Sequence, residues 1–177
     1  MRVDLTILPP PASPTRETCL VVDVLRATSV MAVLFGRGIE AVYPAATIEE
    51  GRVLRARLAA DGSAPMLCGE VDALPPEGYD YGNSPGEFMR MAALPANRAV
   101  VATTNGTPAL VRCASAPLVI AAAPLNAGAA TRLALAAGHD VLVVCAGTAG
   151  LRSEDDRLAG GLLVARLVAA GAEPTPA

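Results

Sequence analysis

Short apolar runs alternate with longer helical patterns along nearly the whole chain. Runs at residues 3–8, 19–22, 41–43, 66–68, 99–103, 118–121 and 141–145 have the length and composition of strands. Several are continuous Val/Leu/Ile runs without alternation, the pattern of strands buried on both faces. Helical patterns fall between them at 27–36, 48–60, 85–93, 108–114, 127–137 and 154–170. Thr47 with Glu50 forms a capping-box pattern, and Ser153 with Asp156 a weaker one. Gly62, Gly138 and Gly171 stand where helices should stop. The alternation predicts an α/β fold with three layers, α/β/α, around a mostly parallel, mixed sheet. Without repeats or an internal linker, residues 1–177 read as a single domain. The Pro-rich segment 9–14 reads as a surface connection, and 173–177 as a frayed tail. Segment 69–85 holds few helix or strand signals, and a long irregular loop in a compact domain is often functional.

Composition narrows the chemistry. The chain is 53% hydrophobic and 18% charged, so it reads as soluble and globular. Ala fills 36 positions, which raises the mean hydropathy without a membrane-like run. No stretch of about 20 apolar residues predicts a transmembrane helix, and the first residues do not form a secretory signal. A cytoplasmic location is therefore expected. All 14 basic residues are Arg, which excludes mechanisms built on lysine, such as a Walker-type loop or a Schiff base. His139 is the single His, so multi-histidine zinc sites are excluded, and it reads as an exposed turn residue. The net charge of −3 without a basic cluster argues against nucleic acid. Cys19, Cys68, Cys113 and Cys145 lie apart in apolar runs and read as buried hydrophobes in a reducing compartment. Cys145 to Arg152 nearly matches a cysteine-phosphatase loop, but six intervening residues replace five and move the Arg off the phosphate.

In α/β sheets, ligands bind beyond the carboxyl ends of the strands. The second strand ends in Asp23, followed by Arg26, Thr28 and Ser29 where a helix begins. Asp23 reads as a metal ligand, a nucleophile or a helix cap. Arg26 offers a rigid fork suited to phosphate or sulfonate, or else a surface ion pair. The turn 103–107, TTNGT, holds Thr104, Asn105, Gly106 and Thr107 before a helix. It is either an anion-binding turn or an ordinary capped one. Asn83 and Ser84 precede Pro85 in a second helix start that reads mostly as a capping signature. The sixth strand leads to Asn126. Glu70, Asp80, Glu154 and Asp155 are hard oxygen donors with no soft partner, a set suited to Mg²⁺, although acids in a first helical turn also favour its dipole.

The segments VVDVLRATS (21–29), Gly69–Glu70 with GYDYGNSPGE (78–87), TTNGT (103–107), Leu125–Asn126 and VCAGTAGLRSEDDRLAGG (144–161) resemble, in this order, the 2-phosphosulfolactate phosphatase family. The resemblance implies a Mg²⁺-dependent phosphomonoesterase with an α/β/α fold and a mixed sheet. It would hydrolyse a small anionic phosphorylated hydroxy acid, 2-phospho-3-sulfolactate, to 3-sulfolactate and phosphate in coenzyme M biosynthesis. Carried onto matching positions, it implies Asp23, Arg26 and Thr28 as catalytic residues. Asn83, Ser84, Thr104, Asn105, Gly106, Thr107 and Asn126 would bind substrate, and Asp23, Glu70, Glu154 and Asp155 would hold the metal. Asp23 would be either metal ligand or aspartyl nucleophile.

Two other readings stand beside it. A haloacid-dehalogenase-type aspartyl phosphatase wants Asp-x-Asp, and here Leu25 stands two positions after Asp23. A non-catalytic module binding an anionic metabolite would keep Arg26 and the 103–107 turn without needing Glu70 or Glu154. Family members usually continue well past the helix that follows the Glu-Asp motif. Leu162, Leu163, Val164, Leu167 and Val168 make that helix broadly apolar, and a homo-oligomer, a dimer, is expected to bury the excess.

Overall fold

A computed structural model describes residues 1–11 and 13–175. In chain order the strands are β1 (Arg2–Thr6), β2 (Thr18–Val22), β3 (Ala41–Ala45), β4 (Met66–Gly69), β5 (Arg98–Ala102), β6 (Leu118–Ala122), β7 (Val141–Cys145) and β8 (Glu173–Pro174). The helices are α1 (Ala27–Gly36), α2 (Ile48–Leu58), α3 (Pro85–Arg90), α4 (Gly106–Arg112), α5 (Ala127–Ala137) and α6 (Glu154–Ala169).

The expected α/β class with parallel strands is what forms. The strands divide into two sheets, five-stranded β6-β2-β7-β1-β8 and three-stranded β3-β5-β4. Every ladder between these strands is parallel. The antiparallel pairs are isolated bridges, Val71 with Leu74 and Thr148 with Leu151. The continuous apolar run of β2 is buried at all five positions, because both its faces are covered. Cys19 and Val21 pack with α1, α3 and α4 in a core that also takes Met66, Cys68, Ala99 and Val101 from the smaller sheet. Leu20 and Val22 face the opposite core, with Ala130 of α5 and Leu163 and Leu167 of α6. The outer face of the smaller sheet packs Leu67 and Val100 against Ile48, Leu54 and Leu58 of α2.

Two departures are local. Residues Glu173 and Pro174, read as part of a frayed tail, pair with β1, with the Glu173 amide donating to the Met1 carbonyl at 3.0 Å. Residues 176 and 177 of that tail lie outside the described residues. The Ser153–Asp156 capping pattern does not form, since the Ser153 hydroxyl bonds Asp155 and Asp156 is drawn inward. The Thr47 cap does form, with the Glu50 amide donating to Thr47 Oγ1 at 3.1 Å. All four cysteines are free and buried. Burial pushes the Cys145 thiol up to about 12, so no thiolate forms there and the cysteine-phosphatase reading falls.

Candidate active site

Parallel strands of both sheets end on one edge, where the polar loops collect. An open cleft of about 570 Å³ there is lined by Leu25, Arg26, Glu70, Asp72, Ala73, Thr104, Asn105, Thr148 and Ala149. It thus draws on the segments that follow β2, β4, β5 and β7.

Asp23 follows β2 and is buried. Its backbone is locked by Thr28, whose hydroxyl donates to the Asp23 carbonyl at 2.8 Å and accepts the Asp23 amide at 3.1 Å. Thr28 itself is fully buried. The geometry therefore makes Thr28 a positioning residue rather than a group that could touch substrate. The Asp23 carboxyl is pushed up to about 7, first by burial and then by the charge of Asp156, with Glu70 and Asp155 adding to it. The Ala27 amide pulls the other way.

Glycine at 106 has a specific reason. A Cβ there would collide with Asp23 Oδ2 and would lie 2.6 Å from the Ala27 Cβ and 2.8 Å from the Asp23 Cβ. The backbone at the start of α4 therefore runs directly against the Asp23 carboxylate, which only glycine permits. Thr107 is buried, and its hydroxyl accepts the Thr103 amide at 2.8 Å, which closes the turn from within. Thr104 and Asn105 face the cleft instead. Asn105 Oδ1 accepts the Ala149 amide at 2.9 Å and so ties the β5 and β7 loops together.

Arg26 lines the cleft and has no carboxylate partner among the described residues. Its Nη2 donates to the Ala73 carbonyl at 3.3 Å, which aims the fork across the cleft from β2 toward the β4 loop. On that loop the Ala73 amide donates to Glu70 Oε1 at 3.1 Å. Asp72 and Ala73 hold positive φ, as do Ala149 and Gly150 in the facing loop. The bridges Val71–Leu74 and Thr148–Leu151 close both loops into tight turns flanking the cleft.

Other sequence candidates lie elsewhere. Asn126 closes the end of β6, with its Nδ2 donating to the Ala121 carbonyl at 2.9 Å and its Oδ1 accepting the Ala123 amide at 2.8 Å. The Asn83 side chain is buried with no hydrogen-bond partner among the described residues, and neither it nor Ser84 lines the cleft. Asp80 pairs with Arg55 at 2.9 Å and accepts the Leu67 amide at 2.8 Å. Glu154 is exposed and held by Arg157 at 2.7 Å, which lowers its pKa. The four-acid set Asp23, Glu70, Glu154 and Asp155 does not converge, and among the described residues no three such ligands meet at one point.

Asp156, which the sequence reading left to capping, is the acid that belongs here. It is fully buried, and its Oδ1 accepts the Val24 amide at 2.9 Å while Oδ2 accepts the Gly147 amide at 3.0 Å. One carboxylate thus clamps the loops after two adjacent strands, β2 and β7. A signal for it existed. Asp156 is in helical register with the buried stripe Ala159, Gly160, Leu163 and Leu167, whereas Glu154 is off it.

The acids near Asp23 are hard oxygen donors, and among the described residues they do not form a complete cation site by themselves. Asp23 feels the negative charge of Asp156, Glu70 and Asp155, and Mg²⁺ needs only one or two carboxylates beside water and phosphate oxygens.

These features define a class: a parallel α/β domain with an acid-lined cleft, a guanidinium without a carboxylate partner among the described residues, and a glycine-opened helix start at its carboxyl edge. The chain belongs to the 2-phosphosulpholactate phosphatase family, whose profile matches residues 8–175. A Thermotoga petrophila protein named probable 2-phosphosulfolactate phosphatase is 40% identical over 158 residues, 89% of this chain and 66% of that protein. A Deinococcus radiodurans protein of the same name is 39% identical over 175 residues, covering 97% and 69%. One from Clostridium botulinum is 38% identical over 149 residues, covering 84% and 61%. The chain thus spans about two thirds of the length of these relatives.

Proposed function

We propose that this chain carries a Mg²⁺-dependent phosphomonoesterase site that hydrolyses 2-phospho-3-sulfolactate to 3-sulfolactate and phosphate. The observation that carries the reading is Arg26, which lines a cleft with Glu70 and Asp72 yet has no carboxylate partner among the described residues, three positions after the buried Asp23. An acid-lined cleft that keeps a guanidinium unpaired is arranged for an anion that brings or meets a cation. The family membership and the relatives' names support the substrate.

Asp23 and Glu70 would supply the one or two carboxylates that Mg²⁺ needs beside water and the ester's own oxygens, and the ion would supply positive charge to the phosphoryl group. The remaining work falls to the chain. Arg26 takes oxygens of the bound ester through its fork. Thr104 and Asn105 line the same cleft. Gly106 lets the backbone approach Asp23, and Asp156 and Thr28 fix the loop on which Asp23 sits. Such positioning and electrostatic work is the main part of phosphoryl-transfer catalysis.

We place the reaction in the cytoplasm, in the route to coenzyme M; four free cysteines are in keeping with a reducing compartment. We also infer a homodimer. The deciding test is phosphate release from 2-phospho-3-sulfolactate by the purified protein, with Mg²⁺ and with excess chelator. Release that requires Mg²⁺ is expected. Absence of release with Mg²⁺ present overturns the phosphatase reading, and undiminished release in chelator overturns the metal.

A further inference from the structure

Away from the cleft, an open recess of about 380 Å³ lies between α5 and α6, lined by Gly128, Thr131, Arg132, Leu135, Arg166, Ala169 and Ala170. It shares no lining residue with the cleft. Two guanidinium groups converge in it. Arg132 Nη1 and Arg166 Nη2 each lie 3.4 Å from the point where a Cβ on Gly128 would stand. The two nitrogens are therefore no more than about 7 Å apart, a distance at which like charges still repel. Among the described residues neither guanidinium has an ion-pair or hydrogen-bond partner.

The dipole of α6 accounts for Arg166, which sits in that helix's last turn. It does not account for Arg132, which sits in the interior of α5. Both side chains are exposed, so a dissolved anion can reach them. A Cβ at Gly128 would only reach van der Waals contact with both guanidinium groups, so the gap between them lies directly over this residue. Two planar forks around a shared gap match the oxygens of a tetrahedral oxyanion. Leu135, Ala169 and Ala170 provide an apolar wall beside it.

We propose that the recess between α5 and α6 binds a phosphate-class oxyanion through Arg132 and Arg166. The site is separate from the cleft and independent of the reading given to it.

Calorimetric titration with inorganic phosphate tests this on the parent protein and four variants. Arg132→Gln and Arg166→Gln alone should each weaken phosphate binding at this site about tenfold, the scale of a charge-assisted hydrogen bond. The double variant should lose the site. Gly128→Glu should also lose it, because its own carboxylate would occupy the gap, and its melting temperature should rise. Circular dichroism checks that each variant is folded. Arg26→Gln serves as the control for the cleft: phosphate lost there reports on the cleft alone. A double variant that binds as much phosphate as the parent, as tightly, overturns the proposal. So does a Gly128→Glu protein with unchanged binding, or a parent that binds no phosphate outside the cleft. If Arg26→Gln leaves binding untouched while the double variant abolishes it, the cleft reading fails and this site stands.

Discussion

Asp23 combines burial with three acidic neighbours, and its carboxyl is pushed up to about 7. A group whose folded pKa lies above its unfolded value favours the fold while protonated. That contribution is complete below about pH 4 and is lost as pH rises through 7. Free of divalent cations, the protein should therefore lose stability across this window. Asp23→Asn should flatten much of that loss and unfold in more urea than the parent at pH 8, by an amount on the order of a few kcal/mol. The same variant should release no phosphate while remaining folded. If its stability falls with pH as steeply as the parent's, the titration belongs to Asp156, whose carboxyl burial also raises. Arg26→Lys replaces a fork by a point charge. It should weaken substrate binding by about 1–3 kcal/mol, the scale of a charged hydrogen bond. Steady-state kinetics identical to the parent's would place Arg26 outside the site. At this scale the sequence was legible in where polar residues sit: Asp23 directly follows β2, and Arg26 and Asn105 fall on the loops that line the cleft. It was not legible at Asp72, Ala73 and Ala149, whose positive φ no glycine announces.

Elements carry the site by meeting at close range, and Gly106 is the tightest of these meetings. Gly106→Ala would press a methyl group into Asp23 and Ala27. The start of α4 or of α1 would have to move, at a cost of about 1–3 kcal/mol. Denaturant unfolding should show that loss, and phosphate release should drop further than stability alone explains. A variant as stable and active as the parent would mean the loops have slack that the geometry does not show. The strands and helices around this junction were legible because apolar runs buried on both faces leave little ambiguity, as in β2 and β7. Sheet membership was not legible. Periodicity says that β4 and β5 are strands, but not that they join β3 in a sheet of their own. Strand β8 has no apolar run at all, and it forms because β1 offers its free edge to Glu173 and Pro174.

On the scale of the whole molecule, α6 presents more apolar surface than its own fold uses. Leu163 and Leu167 are fully buried against the five-stranded sheet, while Leu158 and Leu162, one turn apart, stay 68% and 41% exposed. Helix α5 packs beside α6 but leaves these two uncovered. Single exposed leucines are ordinary, whereas a pair on one helical face is a place for association to start. A stable interface buries roughly 800 Å² per partner, so the two leucines would form its centre rather than its whole extent. The expected state is a dimer of a 17.9 kDa chain. Sedimentation equilibrium at micromolar concentration should report twice the chain mass. Leu158→Glu combined with Leu162→Glu should return the chain mass without loss of helix signal, because neither side chain is part of the core. A parent that sediments as a clean monomer removes the dimer, and a double variant that still sediments as a dimer moves the interface to another face.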